Sequence, residues 1–217
     1  MSLLLGLLVA AIVLSIAFGP ILRRGAPKVA LDAGAFRDRS GRLDFRHPHM
    51  VDLEALETLY ADPELKAVNH WDDATVESML HTLHDRRSFD AWARTSLVGI
   101  RRKDDTVVGL ATLGTENADG RSGLSIGLQM LPEHRGEGLA TELLAAMITS
   151  TRALTDGPVW IGTSITNHAI MHMMSSLGYV PEPGATPYEA PDGTLVESHW
   201  YRVGADAPPP VFDATSL

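Results

Sequence analysis

The 217-residue sequence contains no cysteine. This absence excludes a disulfide framework, a zinc site built on thiolates, an iron–sulfur cluster and a catalytic thiol. The chain is long enough to bury a core of ordinary size, so neither disulfides nor a structural metal is needed to hold one domain together. Any chemistry must therefore be carried by other side chains or by a bound cosubstrate.

The sequence also lacks an excess of positive charge. It has 18 Lys and Arg against 27 Asp and Glu, a formal net charge of −9. Since nucleic-acid-binding proteins usually show a basic face, we expect no nucleic-acid partner. Residues 1–22 carry no charge, residues 23–46 carry seven basic and three acidic side chains, and the remainder carries 11 basic and 24 acidic ones. The net charge of −9 is thus the sum over a neutral, a basic and a strongly acidic region.

The pattern of the uncharged N-terminal region favours a membrane anchor. Residues 3–22 are almost all apolar, and about 20 such residues let a helix cross ~30 Å of hydrocarbon. Arg23, Arg24 and Lys28 follow the run, which by the positive-inside rule places the rest of the chain in the cytoplasm. We predict a single-pass transmembrane anchor in the cell membrane over residues 1–22 and a basic juxtamembrane linker over residues 23–41.

A cleaved signal peptide is the alternative for the same region. Ala17-Phe18-Gly19 resembles a small-x-small cleavage site, but a signal peptide usually carries positive charge before its apolar part, and this one has none. At the other end, residues 204–217 contain three consecutive prolines and no periodic pattern. We predict this segment to be a disordered tail.

Between the linker and the tail, the hydrophobic pattern switches between periods of two and 3.6 residues. An alternating or short apolar pattern predicts strands at 43–46, 95–101, 106–113, 124–130, 159–164 and 195–203. A helical period predicts helices at 51–60, 75–87, 138–154 and 166–177. This order of elements is typical of an α/β domain.

One strand-to-helix junction stands out. The strand at 124–130 leads through Arg135-Gly136-Glu137-Gly138 into the long helix. Glycines there permit close backbone approach, and the first amides of a helix attract an anion such as a pyrophosphate. The spacing excludes the nucleotide P-loop and the G-x-G-x-x-G fingerprint. A tight structural connection is the alternative interpretation of the junction by itself.

Three motifs together resemble one enzyme family. The run R-x-x-G-x-A at Arg135–Ala140, the Asn167-His168-Ala169 start of a helix and its end at Leu177-Gly178-Tyr179 are similar to the two signatures of the GCN5-related N-acetyltransferases (GNAT). Leu43–Pro48 and Ala61–Glu64 are similar to the branch that acetylates the N-termini of ribosomal proteins. The resemblance covers residues 42–203 and implies a GNAT-like, mixed, mostly antiparallel central sheet flanked by helices.

The resemblance implies acetyl-CoA as cosubstrate. In the family the pantetheine arm pairs with the backbone of the strand before the loop, here Leu128 to Met130, and the pyrophosphate lies on the loop and the first helical turn. The residues then expected to bind acetyl-CoA are Leu128, Met130, Arg135, Gly136, Gly138, Leu139, Ala140, Thr141 and Asn167.

The family's mechanism is direct attack of an amine on the thioester, for which a base must remove the ammonium proton. Many members supply a Tyr as acid where this chain has Met174, and the ribosomal-protein branch often has a Glu where this chain has Ser125. The candidate catalytic residues are therefore Glu116, Asn167 and Ser125, with His172 and His199 as further candidate bases. Glu116 as a solvated turn residue and Asn167 as a helix N-cap are the structural alternatives.

The histidine spacing does not favour a metal. His168 and His172 share a helix face, as do His81 and His84, but no third ligand is evident and Ala169 replaces the Glu of H-E-x-x-H. We expect no metal site. His70-Trp71-Asp72-Asp73 lies where the family binds its acceptor; an N-cap cluster is the alternative.

The function expected from the resemblance is transfer of an acetyl group from acetyl-CoA to an amine at the cytoplasmic face of a membrane. The acceptor would be a protein N-terminus or an amine-bearing small molecule. The alternative is a catalytically weak or inactive GNAT-like domain that serves as an accessory subunit of a membrane protein complex.

Overall fold

The computed structural model describes residues 41–116, 121–184, 186–190 and 192–211. The predicted anchor at 1–22, nearly all of the linker at 23–41 and the last six residues of the predicted tail lie outside these residues. Within the described ranges, no helix is both long enough and apolar enough to cross a bilayer.

Seven strands of the described chain form one sheet in the order β1-β2-β3-β4-β5-β7-β6. They are β1 Leu43–Arg46, β2 Ser96–Arg101, β3 Thr106–Glu116, β4 Gly123–Met130, β5 Val159–Ser164, β6 Thr186–Glu189 and β7 Leu195–Arg202. Every neighbouring pair is antiparallel except β4 and β5, which are parallel. This confirms the predicted mixed, mostly antiparallel sheet. Strand β6 was not resolved by the sequence pattern, and β3 runs three residues beyond its predicted end.

Six α-helices accompany the sheet in the described residues. They are α1 Leu53–Ala61, α2 Pro63–Val68, α3 Asp73–His84, α4 Arg86–Ala93, α5 Leu139–Leu154 and α6 His168–Ser176. The predicted helix at 75–87 was wrong in its C-terminal part. Asp85 leaves the helical conformation and its side chain accepts a hydrogen bond from the amide of Ser88 at 2.8 Å, so it caps a second helix.

The helices divide between the two faces of the sheet. Helices α5 and α6 pack with one cluster of buried residues, which includes Leu143, Met147 and Met174. Helices α1, α3 and α4 pack with a second cluster on the other face, which includes Leu56, Leu83 and Trp92. The sheet therefore separates a face covered by α5 and α6 from a face covered by the N-terminal helices, and an opening in the sheet would connect them.

Candidate active site

Strands β4 and β5 part shortly after they meet. Among the described residues their parallel pairing covers two positions, Leu124 with Val159 and Ser125 with Trp160. Beyond that point β4 continues to pair with β3 as far as Met130, whereas β5 continues to pair with β7 as far as Ser164. The two strands thus leave a wedge-shaped opening in the middle of the sheet.

One backbone edge of β4 faces this opening. Leu124 donates its amide to the carbonyl of Pro158 at 3.0 Å, on the side of β5. Because alternate residues of a strand direct their backbone groups to the same side, the groups of Ile126, Leu128 and Met130 lie on the same edge. An extended arm can add to such an edge like another strand. The alternation is therefore consistent with the predicted pairing at Leu128 and Met130, which stays a prediction.

A cavity of about 170 Å³ lies in the opening, and residues from both faces of the sheet line it. Glu116, Ser125 and Asn167, the three candidate catalytic residues, all lie in its wall, as does Leu128. These residues come from β3, β4 and the start of α6 and are separated by up to 51 positions in the chain. The fold therefore brings the candidates of the sequence analysis together at one site.

Glu116 ends β3, where its registered partner on β4 is Gly123. It is 3% exposed, which corrects the alternative of a solvated turn residue. In the described lining of the cavity it is the one acidic or basic side chain. A buried carboxylate in a cavity is suited to hold an ammonium group and to accept its proton.

Asn167 lies both at the start of α6 and in the wall of the cavity. It is the N-cap of α6, and its Oδ1 accepts a hydrogen bond from the amide of Ile170 at 3.3 Å. The same residue lines the cavity. The capping interpretation is therefore confirmed, and the side-chain NH₂ of Asn167 remains a candidate donor to a bound ligand.

The two further candidate bases, His172 and His199, are not part of the described cavity wall, and neither is Met174, which occupies the position of the family's Tyr. Met174 is fully buried in the core beneath α5 and α6 and does not belong to the described cavity wall. His172 is exposed on α6. His199 lies between Ser198 and Trp200, which both line the cavity, so strand alternation places its side chain on the opposite face. The structure thus favours Glu116 over either histidine.

The loop before α5 has the backbone conformation of an anion site. Gly136 has φ +77° and Gly138 has φ +74°, the left-handed region that favours glycine. Gly138 is the N-cap of α5 and, as glycine, offers no side chain to the first helical amides. The amides of Leu139, Ala140 and Thr141 in the first turn are therefore available to an anion.

Arg135 has a different environment from the predicted one. Its guanidinium donates to Glu64 at 2.7 Å, to the carbonyl of Met130 at 3.1 Å, and to Asp62. Its charge is thus paired with carboxylates of this chain, rather than left for a pyrophosphate. Burial raises the pKa of Asp62. Hydrogen bonds from Arg135 and from the Glu64 amide, together with the charge of Arg135, lower it by more, so the pKa lies below the ordinary value. Arg135 therefore ties the loop to the start of α2.

A second tether on the same loop was missed from the sequence. Glu142, 2% exposed in the first turn of α5, accepts hydrogen bonds from the amides of Arg42 and Leu43 at 3.1 and 2.9 Å. The Arg42 guanidinium in turn donates to the carbonyl of Glu137 at 2.8 Å. The sequence shows only that Glu142 lies in the first turn of a helix. Acidic residues are common there because the helix dipole favours negative charge, so the pattern does not predict a partner for the side chain.

The residues of the predicted acceptor segment at 70–73 have different environments in the structure. Trp71 lines the cavity. Asp72 caps α3 by accepting from the amide of Thr75 at 2.8 Å, and Asp73 pairs with Lys66. The N-cap alternative is therefore confirmed for Asp72, and the acidic pair does not line the cavity in the described structure.

A split pair of parallel strands in a mostly antiparallel sheet, with a glycine-containing loop before a helix N-terminus and a buried carboxylate in the opening, is the arrangement expected from the resemblance to the acetyl-CoA-dependent transferases. A family model for the acetyltransferase (GNAT) domain matches residues 42–180. The chain belongs to the GNAT acetyltransferase family: it is an N-acetyltransferase that uses acetyl-CoA as cosubstrate. Both expectations of the sequence analysis are confirmed at this level.

Individual relatives agree with the assignment. The L-amino acid N-acyltransferase MnaT of Escherichia coli (strain K12) is 29% identical over 146 residues, which cover 64% of this chain and 80% of the relative. The structure of yncA, a putative acetyltransferase from Salmonella typhimurium with its cofactor acetyl-CoA, is similar with a TM-score of 0.56 and 22% identity, covering 79% of this chain and 98% of that one. Ribosomal-protein-alanine N-acetyltransferase from Brucella melitensis has a TM-score of 0.57 and 22% identity, covering 73% and 97%. The two structures support the fold.

Proposed function

We propose that this chain transfers the acetyl group of acetyl-CoA directly to a primary amine bound in the cavity between β4 and β5. The observation that carries the proposal is the meeting of Glu116, Ser125, Asn167 and the free edge at Leu128 in one cavity. The thioester carbon would lie beside the edge of β4, with the pyrophosphate on the Gly136–Thr141 backbone.

The proposed reaction needs no covalent enzyme intermediate. Glu116 takes the proton of the ammonium group, directly or through a water. The neutral amine then forms the new N–C bond as the C–S bond breaks, and the second proton that the attacking nitrogen loses passes to the released thiolate, directly or through a water. Asn167 and Ser125 supply uncharged polar groups in the same wall.

For the acceptor, we propose a protein N-terminus or an amine-bearing small molecule. By their names, MnaT is an N-acyltransferase of L-amino acids, and the Brucella melitensis protein is an N-acetyltransferase of ribosomal-protein alanine. Both acceptors present a primary amine, which is the chemistry that Glu116 suits.

We further propose that residues 1–22 anchor the enzyme to the cell membrane with residues 42–203 on the cytoplasmic side. The support is the uncharged apolar run at 3–22 and the arginines and lysine that follow it. Carbonate extraction of membranes from cells making the full chain should leave it in the pellet with its N-terminus intact. Release into the supernatant, or a processed N-terminus, would refute the anchor.

Replacing Glu116 tests the catalytic proposal. Glu116→Gln removes the proton acceptor at nearly constant size, so we expect kcat to fall by about 100-fold or more, with an unchanged Kd for acetyl-CoA. Thiol release from acetyl-CoA across a panel of primary amines measures the rate, and calorimetric titration measures the Kd.

Glu197→Gln is the matched control, because Glu197 is exposed on β7 and is not part of the described cavity wall. Its kcat should stay within a factor of two of the unsubstituted chain. Equal rates for both variants would remove Glu116 from the mechanism. Acetyl-CoA binding without thiol release for any amine would favour the accessory-subunit alternative.

A further inference from the structure

Glu142, in the first turn of α5, holds the start of β1 beside the loop. Its carboxylate accepts hydrogen bonds from the amides of Arg42 and Leu43 and from the Nε of Arg42 at 3.2 Å. The Glu142 side chain is 1% exposed, whereas that of Arg42 is 33% exposed. Because one buried carboxylate binds both the backbone and the guanidinium of Arg42, it fixes the direction in which this guanidinium points.

The other side of the guanidinium holds one peptide bond of the loop. The Nη1 of Arg42 donates to the carbonyl oxygen of Glu137 at 2.8 Å. The bond between Glu137 and Gly138 is trans, and in a trans peptide bond the carbonyl and the following N–H point in opposite directions. The amide of Gly138 therefore points away from Arg42.

This amide has no partner within the described structure. Gly138 donates its N–H to no backbone or side-chain acceptor among the described residues. It directly precedes the amides of the first turn of α5, at Leu139, Ala140 and Thr141, where the proposed function places a pyrophosphate. The Gly138 amide is thus available to extend the same set of donors.

Gly138 alone does not fix the direction of its own amide. Glycine takes positive and negative φ at similar cost, so the peptide bond between Glu137 and Gly138 can turn over with little strain at Gly138, whose φ is +74°. After such a turn the Glu137 carbonyl would replace the Gly138 amide beside the ligand. A carbonyl oxygen and a pyrophosphate are both hydrogen-bond acceptors, so they would repel each other.

The side chain of Glu137 is held by other residues. The Nη1 of Arg101 lies 3.3 Å from its Oε2, and the Nδ1 of His134 lies 3.6 Å from its Oε1. Arg101 also pairs with Asp104 at 2.7 Å. Arg42 and Arg101 thus both bring a positive charge to Glu137, but among the described residues only Arg42 holds its carbonyl oxygen.

Given the proposed binding of acetyl-CoA at this loop, on which this inference rests, we infer that Arg42 is a positioning residue for the cosubstrate. By holding the Glu137 carbonyl, it keeps the Gly138 amide directed at the pyrophosphate, and Glu142 orients Arg42 for this task. Arg42 itself does not contact acetyl-CoA. A residue at the start of the domain thereby prepares an anion site 95 positions further along the chain.

Arg42→Met tests the inference in the full chain, because it removes the guanidinium and leaves Glu142 with both amide donors. We expect the Kd for acetyl-CoA, measured by calorimetric titration, to rise about tenfold, as for one lost hydrogen bond to an anion. The Kd for acetyl-dephospho-CoA, which keeps the pyrophosphate but lacks the 3′-phosphate, should rise by the same factor. S-acetylpantetheine lacks the pyrophosphate, so its Kd, measured by nuclear magnetic resonance titration, should change less than twofold.

Arg101→Met is the matched control. It removes the same charge from the surroundings of Glu137 but leaves the bond between Arg42 and the Glu137 carbonyl in place. Its Kd for acetyl-CoA should therefore stay within a factor of two of that of the unsubstituted chain.

Four outcomes would overturn the inference. An unchanged Kd in Arg42→Met would show that the peptide bond needs no support, and equal losses in both variants would show an effect of charge alone. A loss for acetyl-CoA that is absent for acetyl-dephospho-CoA would show direct contact of Arg42 with the 3′-phosphate. An equal loss for S-acetylpantetheine would show general damage to the fold. If the unsubstituted chain does not bind acetyl-CoA, the proposed function itself fails.

Discussion

At the scale of single residues, the pair Asp62 and Arg135 shows how an acidic and a basic side chain prepare the site without reacting. Asp62 is buried, caps α2 and pairs with Arg135, which also holds the Met130 carbonyl. One guanidinium thereby connects the end of β4, the loop and the N-terminal helices.

Asp62→Asn is expected to destabilise the fold by about 2 kcal/mol at pH 7. Asn keeps the N-cap, since it caps as well as Asp, but loses the charge that pairs with Arg135. The folded-state pKa of Asp62 lies below its ordinary value of 3.8, so its stabilising effect is present above that value and is lost as the pH falls through the folded-state pKa. Urea unfolding of both chains between pH 7 and pH 3 should show their difference shrinking only at the acidic end.

Glu64→Gln serves as the control for this pair. Glu64 also contacts Arg135, but its side chain is 72% exposed, so its removal should change stability by less than about 0.5 kcal/mol. A larger loss for Glu64→Gln than for Asp62→Asn would contradict the account of the tether.

At the scale of elements, the N-terminus of α6 combines a structural and a binding role in Asn167. Asn167→Ala should lower stability by about 1 kcal/mol, because it removes the cap, whereas Asn167→Asp should not. Both substitutions remove the side-chain NH₂, so both should raise the KM for acetyl-CoA by about five- to tenfold. Thermal unfolding and saturation kinetics separate the two effects. A normal KM for Asn167→Asp would show that capping is the whole role.

Two short helices that the sequence pattern missed share one physical cause. Asp62 lies just after the predicted helix at 51–60 and Asp85 lies inside the predicted helix at 75–87, yet each caps a further short helix, α2 and α4. An Asp that ends one helix and starts the next has the same local signature as a simple stop. Strand β6 was missed for another reason: it contains Pro187, which argues against a strand, and it exists through its pairing with β7.

At the scale of the whole molecule, the sequence analysis identified the family, the loop and five residues of the cavity wall: Trp71, Glu116, Ser125, Leu128 and Asn167. The remaining wall residues depend on non-local pairing: Ser198 and Trp200 reach the cavity because β7 pairs with β5 and because Gly162 leaves room for the indole. No pattern within β7 indicates that neighbour. The same limit explains Arg135, whose carboxylate partners lie 71 and 73 residues away.

The whole account depends on acetyl-CoA binding at the loop before α5, and two glycines test this most directly. Gly136 and Gly184 have φ +77° and +84°, and a Cβ at either would have no described atom within 4 Å. Valine at either position therefore carries a similar backbone strain, but only Gly136 lies in the loop. Calorimetric titration of full-length Gly136→Val with acetyl-CoA should show a Kd raised by about 100-fold, as expected if an ordered set of amides is lost, while Gly184→Val binds normally. Equal affinity in the two variants, or no binding by the unsubstituted chain, would contradict the account.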